Sequence, residues 1–199
     1  MTFPPLPIQT HNTMRLCKVM VATTPEELQR IQRLRYEVYV EEEGKTLSCA
    51  DHTARTLGDS HDEDAIHLYM IEAGEVVACV RLHAGFIPQA LTEPLELERF
   101  PGCGAGHDCF ISKLMVRKNY RGSMTFARLM RAIHAIAEGL GINMMFCTTF
   151  PHLVALYGRI GFESYRGVYL DKDFGPHYAL AGRLKDFRFQ REVLLPRAA

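Results

Sequence analysis

Apolar positions recur along the chain with two different periods, and the changes between them mark the elements. Leu28, Ile31, Leu34 and Val38 fall every three or four residues, the spacing of a helix with one buried face. Thr24-Pro25-Glu26-Glu27 supplies its N-cap, a first-turn proline and a capping-box glutamate. A strand over 15–22 precedes it. The apolar runs 66–72 and 76–83, separated by Ala73-Gly74-Glu75, predict an antiparallel hairpin. A short helix within 88–100 and a flexible glycine-rich loop over 101–106 then lead to a strand ending near Val116. The helix expected after Gly122 carries Phe126, Leu129, Met130, Ile133, Ile136, Ala137 and Leu140 on one face, and Gly139 and Gly141 mark its end. A strand over 142–149, a short helix over 152–160 stopped by Gly161, and strands over 162–170 and 177–184 complete the chain. Hairpins in the first half and alternation in the second predict an α+β or α/β domain, a mixed, mainly antiparallel sheet flanked by helices. The polar stretch 41–61 shows no period, which predicts a long, mobile connection of the kind that carries substrate contacts.

Composition narrows this picture. A chain of 199 residues that is 47% hydrophobic suits one domain, over 14–195, behind a flexible arm over 1–13 without signal-peptide features. No apolar run reaches the length of a membrane span, so no integral membrane segment and a cytoplasmic location are expected. Cysteines 17, 49, 79, 103, 109 and 147 read as reduced thiols, several within strands. Cys103, His107 and Cys109 match no usual zinc spacing, so no metal is expected. Their use as a Cys-His-Asp nucleophile with Asp108 is a weaker idea, because such groups usually come from distant segments.

Charge points to one place. The formal net charge is zero, yet Lys113, Arg117, Lys118, Arg121, Arg128 and Arg131 lie between Cys109 and Ala137, a window without Asp or Glu. The window reads strand, turn, helix start, and a helix start offers unpaired amides and the positive end of its dipole. An anionic ligand or partner is expected there, and nucleic acid is not.

These residues resemble a known family. Val116-Arg-Lys-Asn-Tyr-Arg-Gly-Ser-Met-Thr-Phe-Ala-Arg-Leu129 is similar to the acyl-donor motif of the GCN5-related N-acetyltransferase (GNAT) superfamily, and Ala155-Leu-Tyr-Gly-Arg-Ile-Gly-Phe162 to its later helix-to-strand motif. The resemblance implies an acyltransferase in which Leu114, Met115 and Val116 line the donor arm. It also implies that backbone at Arg121, Gly122, Ser123 and Met124 holds phosphate, and that Tyr157 protonates the departing thiolate. The first half resembles one branch, the acyl-homoserine-lactone synthases and long-chain N-acyl amino acid synthases: Arg35 with Tyr39, Asp59 with Asp62, Arg81, and Ser112-Lys113. From that branch, Arg35, Tyr39, Asp59, Arg81 and Lys113 are expected to bind substrate.

Departures from the pattern refine the expectation. Met124 and Phe126 occupy a turn that is glycine-rich in the superfamily, where bulk hinders a nucleotide pyrophosphate. An acyl carrier protein, with its single-phosphate arm, fits better as the donor. The chain has no Trp, Lys45 stands where the lactone synthases carry theirs, and Phe110 replaces a glutamate, which favours an N-acyl amino acid synthase over lactone formation. The expected co-substrate is then acyl-phosphopantetheine on acyl carrier protein, or alternatively acyl-CoA, with no permanently bound cofactor and a free amino acid as acceptor. An acetyl-CoA-dependent acetyltransferase and a non-catalytic binding module are the alternatives.

Acyl transfer to an amine needs a base, a polarised carbonyl and a proton for the thiolate. Tyr157 is read either as that acid or as a packing tyrosine. Asp62 is the favoured base, from the paired-aspartate spacing and its distance to His67, against a solvated acidic loop. Arg81 is either inward beside an acid such as Asp62 or outward, and Arg35 is either likewise or a plain surface charge. Met115, Met124, Met130, Met144, Met145, Phe126, Phe146 and Phe150 are core or the wall of an acyl tunnel.

Overall fold

A computed structural model describes residues 18–187 apart from 93–94, 101–102, 104–105 and 123. The expected arm over 1–13, most of the expected glycine-rich loop, Ser123 and the chain beyond 187 lie outside the described residues.

The expected elements form where local signals are strong. Strand β1 (Val19–Val21) precedes helix α1 (Pro25–Tyr36), whose capping box is closed at both ends: the Thr24 hydroxyl accepts from the Glu27 amide, and the Glu27 carboxylate accepts from the Thr24 amide. Ile31 and Leu34 bury against the sheet. The helix then widens into a π-turn, Glu37–Glu42, which carries Tyr39.

The stretch 41–61 differs from expectation. It contains a two-stranded ladder, β2 (Ala50–Asp51) and β3 (Thr56–Leu57), and a 3₁₀ turn, Ser60–Asp62. Leu47 and Leu57, too far apart to show a period, bury with Tyr36 and anchor the segment.

The hairpin of β4 (Ile66–Glu72) and β5 (Glu75–Ala84) turns through Ala73 and Gly74, both left-handed. After helix α2 (Gln89–Thr92) comes strand β6 (Asp108–Val116) and then helix α3 (Thr125–Gly139), whose Leu129, Met130 and Ile133 face the core. Strand β7 (Met144–Thr149), helix α4 (Val154–Arg159) and strands β8 (Glu163–Ser164), β9 (Tyr169–Asp171) and β10 (Gly175–Arg183) follow. The strand expected over 162–170 is therefore two short strands.

The sheet runs β1-β4-β5-β6-β7-β10-β8, with β9 also on β10. Neighbours pair antiparallel except β6 with β7. That parallel pairing ends at Ile111 opposite Cys147. Beyond it the two strands diverge and a cleft opens in the middle of the sheet.

Candidate active site

The cleft is prepared by an irregularity in β6. Cys79 pairs with Met115 and Arg81 with Ser112, so β6 spends two residues, Lys113 and Leu114, where β5 spends one. Such a bulge bends the strand and re-aims a side chain. Lys113 adopts φ 52°, a left-handed conformation uncommon for a residue with a side chain. The bent strand leaves β7 and opens a cavity of about 510 Å³ between β6, β7, α3 and α4.

Of the side chains expected at the site, Tyr39, Arg81, Lys113, Leu114, Met115, Val116, Arg121, Gly122 and Tyr157 line this cavity. Arg35, Asp59, Asp62 and Met124 do not. Gly122 is left-handed at φ 72° with open space around its missing Cβ. Of the Met and Phe residues considered for a tunnel, Met115, Phe126 and Phe150 reach the cavity, whereas Met130 and Met145 are core.

Tyr157 sits on α4 with its ring edge-on to Phe126 and Phe162, at 6.0 and 5.5 Å between centroids. Burial in these apolar surroundings raises its phenol far above the tyrosine range. The hydroxyl stays protonated and remains a donor.

The charged residues of the first half form one buried network. Arg35 Nη1 donates to both oxygens of Asp62 at 2.9 and 2.8 Å, and Arg81 Nη1 donates to Asp62 Oδ1 at 2.9 Å. Arg81 also donates to Ser112 Oγ at 3.0 Å and to Asp59. Arg35 is fully buried, so its reading as a surface charge is overturned, and Arg81 is inward beside Asp62. His67 accepts from Arg35 at Nδ1 (3.0 Å) and donates from Nε2 to the Asp62 carbonyl (2.9 Å), an arrangement of the neutral ring. Burial lowers the His67 pKa and keeps it so.

Asp62 does not fit the role of base. Burial alone would raise its pKa, but the two guanidiniums outweigh it and hold the carboxyl at about 2. A carboxylate so held takes up a proton poorly, and its lone pairs are already used. Asp59 is likewise held below its usual range by Arg81 and Lys113 against the opposing effect of burial.

Two cations of the basic window are paired with acids. Arg121 donates to both carboxylate oxygens of Glu42, at 2.8 Å for Nη2 to Oε2, and Arg117 pairs with Glu37 at 2.9 Å. The neutralising acids come from the π-turn, about eighty residues earlier.

One cavity residue carries no motif. His177 on β10 is buried among the rings of Phe150 (4.5 Å) and Phe174 (6.1 Å). Its Nδ1 lies 3.1 Å from the Gly175 carbonyl, and because a carbonyl only accepts, Nδ1 carries the hydrogen. Nε2 is then the unprotonated nitrogen of the neutral ring. Its strand position, two residues after a turn glycine, was the only sequence signal available.

A sheet split at a bulged strand, with a helix start and a tyrosine-bearing helix around the opening, agrees with the comparisons. Residues 34–131 match the family model described as an acetyltransferase (GNAT) domain. The chain carries a GNAT domain. It is accordingly an N-acyltransferase. Among solved structures, it resembles the CoA-dependent acyl-homoserine lactone synthase BjaI, with a TM-score of 0.66 and 20% identity over 85% of this chain and 79% of that one. The lactone synthase LasI gives 0.66 and 21% over 84% and 91%, and an acyl-CoA N-acyltransferase from Pseudomonas aeruginosa gives 0.58 and 23% over 83% and 99%. No curated protein matches the sequence significantly.

Proposed function

We propose that this GNAT domain moves a medium or long acyl chain from the thioester of acyl carrier protein to the α-amine of an amino acid. The supporting observation is the cavity itself, which brings the bulged donor strand, Tyr157 and the Arg81–Lys113 cluster to one opening. The acyl arm would lie along Leu114, Met115 and Val116, with Gly122 at its phosphate end. The amine would enter from the charged side, near Tyr39, Arg81 and Lys113.

His177 replaces Asp62 as the proposed base. Its Nε2 takes one proton from the substrate ammonium, the neutral amine so formed attacks the thioester carbonyl, and the tetrahedral intermediate expels the thiolate, which takes a proton from Tyr157 while the second proton lost by the nitrogen restores the phenol. The burial that raises the phenol's pKa would raise a thiolate's in the same cavity, so the proton need not move uphill.

The carrier-protein donor is favoured by Arg121, whose guanidinium is already paired with Glu42 and offers little to a nucleotide pyrophosphate. An acyl-CoA donor is the second reading, favoured by the open space at Gly122 and by the likeness to CoA-dependent BjaI. Steady-state turnover of acyl carrier protein and acyl-CoA bearing the same chain separates them. We expect kcat/KM at least tenfold higher with the carrier protein; equal or better turnover of acyl-CoA would reverse the assignment.

A further inference from the structure

The buried network does not balance its charge. Arg35, Arg81 and Lys113 are cations, with side chains 0%, 2% and 12% exposed. Asp62 and Asp59 are the carboxylates they meet, and His67 and the Cys79 thiol are neutral, the latter pushed up to about 11 by burial. Three positive charges therefore meet two negative ones within this network, which reaches the cavity at Arg81 and Lys113. A buried surplus of this kind is costly unless a further anion satisfies it.

The surplus resides at Lys113. Asp62 is bound by both arginines, and Asp59 is bound by Arg81. Asp59 Oδ2 stands 3.8 Å from the Lys113 ammonium, too far for a hydrogen bond. What surrounds that ammonium instead is aromatic: the Tyr39 and Phe174 centroids lie 5.3 and 4.9 Å away, and the two rings touch each other at 5.0 Å. Cation–π contacts stabilise a cation but leave its N–H donors free.

A second ammonium strengthens the field. Lys45 donates to the Phe174 carbonyl at 3.1 Å and lies 5.9 Å from the Phe174 centroid. Phe174 is itself fixed, because Asp171 Oδ1 accepts from the Asp173 and Phe174 amides at 2.9 Å. Glu43, near Lys45, also lines the cavity, and burial raises its pKa and so weakens its hold on a negative charge.

We propose that the Lys113 ammonium, framed by Tyr39 and Phe174 and reinforced by Lys45, receives a carboxylate of the acyl acceptor. This rests on the amino-acid reading above and deepens it. A carboxylate there supplies the missing negative charge and accepts from the unused donors. It leaves the α-amine, one carbon away, facing the cavity. The left-handed strain at Lys113 then has a use, since it aims the ammonium at the acceptor and not at the sheet.

The test is a comparison of acceptors. The twenty common amino acids would be assayed singly with acyl carrier protein and acyl-CoA donors, and the best one then compared with its own carboxamide, which keeps the amine and side chain but loses the charge. Wild type should prefer the carboxylate by at least tenfold in kcat/KM, Lys113→Gln should bring the two acceptors to similar values, and Lys113→Arg should restore part of the preference. Lys45→Met should reduce the preference less than Lys113→Gln. A folded Lys113→Gln enzyme, checked by circular dichroism, that keeps the wild-type preference overturns the carboxylate site while leaving the amino-acid reading intact. If wild type acylates carboxamides or plain amines and no amino acid, the amino-acid reading itself fails.

Discussion

Glu42 accepts from both terminal nitrogens of Arg121, the arginine that opens the turn before α3. An acid from the π-turn thus occupies the cation that would face a nucleotide's phosphates. The pair is partly solvated, with side chains 44% and 28% exposed, so its effect on stability is modest while its effect on ligand charge is direct.

Glu42→Gln should therefore change donor choice more than folding. With Arg121 released, KM for acyl-CoA should fall several-fold while that for acyl carrier protein changes little. The melting temperature should shift by no more than a degree or two, in line with an exposed pair contributing about 0–1 kcal/mol. Unaltered acyl-CoA kinetics would mean that Arg121 does not meet the donor's phosphates.

Asp62→Asn tests the opposite kind of pair. It leaves Arg35 and Arg81 buried beside an amide, so stability should fall by about 3–5 kcal/mol in denaturant titration. The wild type should also show the carboxylate's linkage. Asp62 is held at about 2, below the ordinary carboxyl value, so the unfolded chain binds more protons than the folded one in acid. The stabilisation is complete above the unfolded value of about 4 and is lost as pH falls through about 2, a change of roughly 2–3 kcal/mol. Parallel acid unfolding in wild type and Asp62→Asn, measured between pH 5 and pH 2 by thermal melts (~1 pH unit steps), would assign the loss to another group.

What the sequence made legible was local. The capping box at Thr24, the hairpin at Ala73-Gly74 and the strand–turn–helix at Arg121-Gly122 each sit within a few residues, and each forms as the pattern predicts. Pairings across long separations were hidden. Arg121 reads as an open cation because Glu42 lies seventy-nine positions away, and Lys113 carries no glycine or turn residue to announce its left-handed backbone. The paired-aspartate spacing and the distance to His67 single out Asp62 as the base, and such spacing finds the network but not its protonation. His177 and Phe174 reach the cavity only through the pairing of β9 with β10, which no motif marks.

Tyr157→Phe should separate acid from packing. The ring contacts with Phe126 and Phe162 survive the change, so stability should fall by about 1 kcal/mol at most. Loss of a general acid typically lowers the rate by ~10² or more, and the loss should fall on kcat because the proton moves only in the transition state. Substrates with a more acidic leaving thiol should be less sensitive, since their thiolate needs the proton less. A variant retaining more than half of wild-type kcat would make Tyr157 a packing residue.

His177→Gln addresses the base. Glutamine has a similar reach and can still donate to the Gly175 carbonyl, so the turn and the contact with Phe150 should persist. It cannot accept a proton. In wild type the lone pair on Nε2 is the group offered to the proton of the acceptor's ammonium. In the variant, kcat should drop by ~10²–10⁴, the range of general-base catalysis, and turnover should come to rise with hydroxide as the acceptor's free amine becomes available. A folded His177→Gln enzyme that keeps more than about half of the wild-type kcat would place the base elsewhere. A lowered kcat that does not rise with hydroxide would show that His177 positions Phe150 and Phe174 without moving the proton.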